Sequence, residues 1–247
     1  MTIDSDSDLL HLKAIGRICA ETLKIMLRAV RPGISTLELD GIGADYLKSE
    51  GARSAPRLTY NFPGATCISI SPVIAHGIPD STLLKAGDLV HVDVSAELDG
   101  YFADTGASKL VSNSRPEVER LLAATRAALW KALRTARAGR PLNEIGREVF
   151  QEAGRNGFNV IRDLSGHGIG HKLHDQPSEI LNYYNPRDRR VLNDGLVLAI
   201  EPFLTPGRGR IVAESNGWPL TTADHTIAAQ FEHTVIVTRA EPIILTL

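Results

Sequence analysis

The stretch from Leu89 to Thr105 alternates apolar and polar residues, with Asp99-Gly100 at its centre. That pattern predicts two strands joined by a tight hairpin turn. Asp93 falls in the first strand and Asp104 in the second. Asp is depleted in strands and costly to bury without a partner. A solvated turn residue is the simpler account of either Asp alone; the pair points to a cation between them. Ser165 to His174 places three histidines, His167, His171 and His174, within eight residues among closely spaced glycines. Glycine allows close backbone approach to a site, and a neutral imidazole is the commonest metal ligand. Each histidine taken singly is otherwise a satisfied structural residue. Glu201 interrupts the apolar run Val197 to Phe203, and Glu232 lies in the similar run Ala229 to Thr238, with no Lys or Arg close by in either.

Taken together, Asp93, Asp104, His167, Glu201 and Glu232 carry too much negative charge for one ion and balance two divalent ions. The donors are hard and include no cysteine, which favours Mn, Fe, Co or Zn over a structural thiolate zinc. Two metals about 3.5–4 Å apart form an arrangement used in hydrolysis.

The elements that must position these residues can be read from periodicity. Leu12, Ile15, Ile18, Cys19, Leu23, Met26 and Val30 recur at helical spacing and predict a helix from Leu9 to Val30, stopped by Arg31-Pro32-Gly33. Ser35 and Glu38 form a capping-box pattern opening a second helix that ends near Gly51. Residues 55–64 read as a loop, 66–71 as a strand, and Val73 to Pro79 as a segment ending in a turn. After the Asp hairpin, Pro116 to Ala138 reads as a long helix. Arg140-Pro141 opens another that ends at Gly154 or Gly157. Strands are expected over 196–203, 210–214 and 231–239.

The two halves echo one another. Each runs long helix, break, second helix, His-Gly-Ile, then carboxylate strands; Gly87 to Asp93 lies on Gly195 to Glu201 with Asp93 matched to Glu201. The shared order predicts an internal duplication. We expect an α+β architecture of two αα-ββ halves, about residues 8–112 and 115–240, packed around a pseudo-twofold axis as one catalytic domain over 1–247.

The 247 residues are 43% apolar and 23% charged, enough for a real core. A net charge of -2 gives no reason to expect nucleic acid or an anionic membrane as partner. The acidic start, Met1 to Asp8, has neither the basic nor the apolar region of a secretory signal, and no run is long enough to span a bilayer. Cys19 and Cys67 form no CxxC and fit a reducing cytoplasm.

The five candidate ligands, in their order and local contexts, resemble the type I methionine aminopeptidases of the pita-bread fold. The matching segments are Cys67 to Ile70 with His76-Gly77-Ile78-Pro79, Val92 to Val94, Asp99-Gly100 with Asp104-Thr105, Gly166 to Gly170 with His174, Ile200 to Pro202, Gly217-Trp218, and Gln230 to Thr234. The likeness spans nearly the whole chain. It implies two pseudo-twofold halves with curved antiparallel sheets and two divalent ions (Co, Mn, Fe or Zn). It implies that Asp93 binds one ion, His167 and Glu201 the other, and Asp104 and Glu232 both. Glu201 would also shuttle the proton of the attacking water. His76 and His174 would contact the scissile amide. The implied reaction is removal of the initiator methionine from nascent polypeptide N-termini with a small second residue, possible at the ribosome, by a cytoplasmic monomer that recognises neither nucleic acid nor membrane.

The departures concern the pocket for the first side chain. Phe62, Cys67 and Trp218 match the family, whereas Leu173 stands where Phe is usual and Thr59 where Tyr is usual, with Tyr60 adjacent; Ala103 replaces a common Gly. A pocket change of methylene size alters discrimination by roughly 1–3 kcal/mol, so relaxed first-residue selectivity is one alternative. A prolidase-type X-Pro peptidase usually carries a separate N-terminal domain, for which a helix beginning by residue 9 leaves no room. A metal-free amidinohydrolase or a catalytically silent binding relative would not keep all five ligands. The 31-residue step from Glu201 to Glu232 leaves no space for the helical insertion of type II enzymes.

Overall fold

The computed structural model describes residues 1–214 and 217–247. Helix α1 (Asp6–Ala29) starts before Leu9 because Ser5 and Asp8 cap it reciprocally: Asp8 N–H donates to Ser5 Oγ at 3.2 Å, and Ser5 N–H donates to Asp8 Oδ2 at 3.1 Å. Its apolar stripe, Leu12, Ile15, Ile18, Cys19, Leu23 and Met26, is buried. Helix α2 (Thr36–Ser49) opens on the expected box, with Glu38 N–H donating to Ser35 Oγ at 3.1 Å and Ser35 N–H to Glu38 Oε2 at 2.8 Å.

Three expectations about boundaries need correction. Residues 55–64 are not all loop: α3 (Ala55–Tyr60) forms one short helix, with Pro56 in its first turn and Ser54 Oγ accepting from Arg57 N–H. Helix α4 (Pro116–Thr135) stops short of Ala138, whose N–H instead donates to Thr238 O at 2.9 Å. Helix α5 (Asn143–Arg155) opens after Arg140-Pro141 because that pair bridges the segment at Val191-Leu192.

The Asp hairpin forms as read. Strand Leu89–Leu98 pairs antiparallel with Tyr101–Leu110, and the turn places Asp99 at φ 51° and Gly100 at φ 87°. Two positive φ values suit the right-handed twist of the flanking strands. Strand Leu89–Leu98 also pairs with Cys67–Ile70 and with Arg53–Ser54, giving a four-stranded antiparallel sheet. In the second half the order is Ile243–Ile244, His233–Ile236, Val197–Ile200, Ser165–Gly168, Asp175–Leu181, again antiparallel. The expected strand 196–203 is broken: it stops at Ile200 and resumes as Phe203–Thr205. Pro202 has no N–H for a ladder. The expected strand 231–239 is shortened to His233–Ile236, and Ala229–Gln230 forms a separate short strand ahead of the break. Glu201 and Glu232 therefore sit at breaks between strands, whereas Asp93 and Asp104 sit within continuous ones.

Side-chain hydroxyls join the two sheets. Thr234 Oγ1 donates to Asp104 O at 2.7 Å and accepts from Asp104 N–H at 2.9 Å. Thr105 Oγ1 donates to Glu232 O at 2.9 Å, and Glu232 N–H donates to Gly106 O at 2.9 Å. Ser108 Oγ bonds both the N–H and the C=O of Gln230. This seam sets Asp104 alongside Glu232. Helix α1 packs on the first sheet and α4 on the strands around Ala229. Val90, Val92, Val94, Leu121, Leu198 and Val235 lie in one buried core. No helix among the described residues is long and apolar enough to cross a membrane.

Asp40, buried in α2, holds the turn that leads into strand Cys67–Ile70. Its carboxylate accepts from Ala65 N–H, from Thr66 N–H at 2.8 Å and from Thr66 Oγ1 at 2.7 Å. Asp40→Ala leaves buried N–H groups without acceptors, each costing about 1–3 kcal/mol. Urea unfolding of this variant is expected to show a loss of about 2–4 kcal/mol at unchanged slope.

Candidate metal centre and pocket

Both His-Gly-Ile segments bring backbone against backbone. His76 holds a left-handed φ of 55°, sparsely populated for a non-glycine residue. It is followed by Gly77, where a Cβ would lie 2.2 Å from Ile68 O. In the second segment, a Cβ at Gly168 would lie 2.1 Å from Gln176 O. Only glycine permits these approaches, and they turn His76 and His167 toward a common space.

That space is a cavity of about 230 Å³. Its lining includes the eleven residues given a ligand, amide or pocket role: Asp93, Asp104, His167, Glu201, Glu232, His76, His174, Phe62, Cys67, Leu173 and Trp218, whereas the third histidine of the Ser165 to His174 segment, His171, lies outside it against Gly100 O. Pro56, Tyr60 and Ser95 complete it, and no lysine or arginine takes part. Donor atoms of Asp104, His167 and Glu232 all lie within 4.8 Å of one another. Glu201 Oε1 is 3.7 Å from His167 Nε2, and the carboxyls of Asp93 and Asp104 are close enough to shift one another's protonation. His167 Nδ1 must donate its hydrogen to Gly168 O, 2.9 Å away, because a carbonyl only accepts. The Nε2 lone pair thereby faces the carboxylate cluster, where a cation can take it.

The electrostatics follow from this crowding. Burial pushes Asp93 up to about 6. Asp104, Glu201 and Glu232 are also held well above the ordinary carboxylate range, by burial first and then by one another. Burial pushes His167 down to about 3 and lowers His76 and His174, so all three rings are neutral near pH 7. Asp104 Oδ1 and Glu232 Oε1 are buried with no hydrogen-bond partner. Unpaired buried carboxylate oxygens are costly. A set of hard anionic oxygens and one bare imidazole nitrogen, with no lysine or arginine among the described lining residues to neutralise it, fits divalent cations.

Around this cluster, Phe62 and Trp218 meet edge to face at 5.1 Å between centroids, against buried Cys67 and Leu173. The roles of three neighbouring residues escaped the sequence reading. Gln230 Nε2 donates to Glu232 Oε2 at 3.0 Å and to Glu201 Oε2 at 3.4 Å. Its Oε1 faces the space a Cβ of Gly106 would occupy. Tyr60 Oη lies 2.6 Å from His174 Nδ1. His91, fully buried beneath Gly106, approaches Ser108 Oγ at 3.5 Å. A glutamine two residues from Glu232 and the His91–Ser108 pairing across the Asp99-Gly100 hairpin were the local signals available; the Tyr60–His174 contact joins distant chain segments.

Comparison with known proteins gives a consistent match. The model of metallopeptidase family M24 matches residues 11–239. Methionine aminopeptidase 2 of Bacillus subtilis is 46% identical over 247 residues, covering 100% of this chain and 99% of that protein. The crystal structure of methionine aminopeptidase from Rickettsia prowazekii superposes with a TM-score of 0.95 at 36% identity, covering 100% of both chains. Prolidase from Pyrococcus furiosus shares the fold, with a TM-score of 0.81 at 20% identity, but this chain covers only 65% of it.

His91, which is not one of the candidate ligands, gives a pH test. Burial pushes it down to about 3 from an ordinary 6.5. Between those values the unfolded chain binds one more proton at this residue than the folded one, so stability falls as pH falls. The contribution is about 1.4 kcal/mol per pH unit. His91→Gln is expected to reduce the slope of unfolding free energy against pH by about that amount between pH ~4 and ~6, measured by urea unfolding at several pH values.

Proposed function

The chain belongs to metallopeptidase family M24, and from that premise we propose a methionine aminopeptidase that releases N-terminal methionine from polypeptides whose second residue is small. The observation that carries this reading is the convergence of five hard donors on one cavity with no lysine or arginine among the described residues lining it, two of their oxygens unpartnered. We read residues 1–247 as one catalytic domain. Asp93 would hold one divalent ion, His167 and Glu201 a second, and Asp104 and Glu232 both. Mn, Fe, Co and Zn suit these donors. Such ions, when bound, lower the pKa of water toward neutrality and polarise the amide carbonyl.

The chain's own residues do the rest. The Glu201 carboxylate takes the proton of the attacking water and returns it to the leaving amine. His76 and His174 bond the scissile amide, holding it while charge develops on its oxygen. Phe62, Cys67, Leu173 and Trp218 enclose the first side chain and exclude water from it. His76 stands close to the scissile nitrogen, which disfavours a bulky second residue. The substrate is a nascent polypeptide N-terminus, reached in the cytoplasm and near the ribosome by a monomer; two unpaired cysteines suit a reducing compartment. The X-Pro reading is not favoured, since relatives that match over their whole length are methionine aminopeptidases.

A cleavage panel of Met-, Leu-, Ala- and X-Pro-initiated peptides with added Mn, Co, Fe or Zn tests the assignment. Met-Ala peptides are expected to be cleaved best, with activity lost to chelators and restored by metal; preference for X-Pro would move the chain to the prolidase reading. Glu201→Gln should lower kcat by roughly 10²–10⁴, and near-normal turnover would show that the proton passes elsewhere. Leu173→Phe adds a sulfur–aromatic contact of about 0.3–1.5 kcal/mol and is expected to raise the Met-over-Leu ratio of kcat/KM by up to about tenfold; an unchanged ratio would remove Leu173 from the selectivity wall.

A further inference from the structure

We propose that Tyr60 is a positioning residue that sets the tautomer of His174: its phenol O–H donates to Nδ1, so the proton sits on Nε2 and the ring presents a donor to the cavity. This rests on the reading of His174 as a group acting on the scissile amide. The contact is 2.6 Å across 114 residues of sequence. It is made by the last residue of α3 (Ala55–Tyr60), a helix closed by Asn61 at a left-handed φ of 55°. Tyr60 is 45% exposed at the rim while its hydroxyl reaches inward.

Distance alone allows either group to donate; the surroundings choose. The His174 ring lies 4.2 Å from the His167 ring, in a cavity lined by Asp93, Asp104, Glu201 and Glu232 and by no lysine or arginine. A bare nitrogen there would add one more acceptor to a crowd of acceptors, whereas an N–H is a favourable dipole in that field. The phenol retains its proton, since burial raises Tyr60 above its ordinary range. The contrast with His167 is instructive. There the partner of Nδ1 is a carbonyl, which can only accept, and Nε2 is left bare for a cation. Two histidines seven positions apart are thus held in opposite tautomers by opposite kinds of partner, one suited to ligation and the other to donating toward developing negative charge. Tyr60 also sits beside Thr59, where the family usually has its aromatic residue, so the phenol enters the cavity from a neighbouring position.

The test is ¹⁵N histidine NMR on the full chain loaded with Zn²⁺, a diamagnetic ion, with the His174 signals assigned by His174→Gln. The expected spectrum shows His174 protonated on Nε2, with Nδ1 as an acceptor. In Tyr60→Phe, which keeps the ring and removes the hydroxyl, the two tautomers should mix. kcat on a Met-Ala peptide should fall about tenfold, the size of one hydrogen bond, with KM changed less than about twofold. A wild-type signal protonated on Nδ1 would overturn the proposal, as would a Tyr60→Phe tautomer unchanged from wild type. Failure of the functional reading would register separately, as absence of methionine release by the wild type, because the NMR signal is read without turnover.

Discussion

Four carboxylates share one cavity with no lysine or arginine among the described residues lining it to neutralise them. At ordinary carboxylate pKa values that much like charge cannot be buried together, so the cluster must take up protons or cations. Burial and mutual repulsion favour proton uptake by holding Asp104, Glu201 and Glu232 well above the ordinary carboxylate range. Cation uptake is the alternative that M24 chemistry exploits. The neutral histidines belong to the same constraint: a ring kept unprotonated by burial can lend a lone pair or an N–H, according to its partner.

Bringing the acids together falls to residues that carry no charge. Thr105, Ser108 and Thr234 bond across the two sheets, replacing a backbone ladder along much of the seam. Hydroxyls suit this place because each can donate and accept at once. The breaks at Glu201-Pro202 and at Phe231-Glu232 serve the same end. A carboxylate at the end of a strand can turn into the cavity, whereas one inside a continuous strand must use the pleat, as Asp93 and Asp104 do. The two pairs of acids therefore reach one cavity by different local geometries.

The pocket wall follows a different logic. Phe62, Cys67, Leu173 and Trp218 come from four separate segments and are held by ordinary apolar packing, which tolerates substitution at modest cost. Departures from the family are concentrated there and leave the ligand set alone. The short helix α3 places Pro56, Tyr60 and, just beyond it, Phe62 against the cavity, so a segment that reads as a loop supplies much of the rim.

Much of this was legible in the sequence because local rules govern it. Asp99-Gly100 specifies a hairpin with two positive φ values, Ser35 and Glu38 start a helix, and acids in apolar runs have few inexpensive destinies. The types and order of the five donors carry the family resemblance. Tertiary structure alone decided the rest. Asp104 meets Thr234 across 130 residues, and Tyr60 meets His174 across 114. No periodicity encodes such distances. The Gln230 amide spans two acids only because the strands break where they do. The tautomers of His167 and His174 are likewise set by partners brought near through folding. Local sequence determines which groups are available, whereas their protonation, orientation and pairing depend on what the fold places within about 3 Å of them.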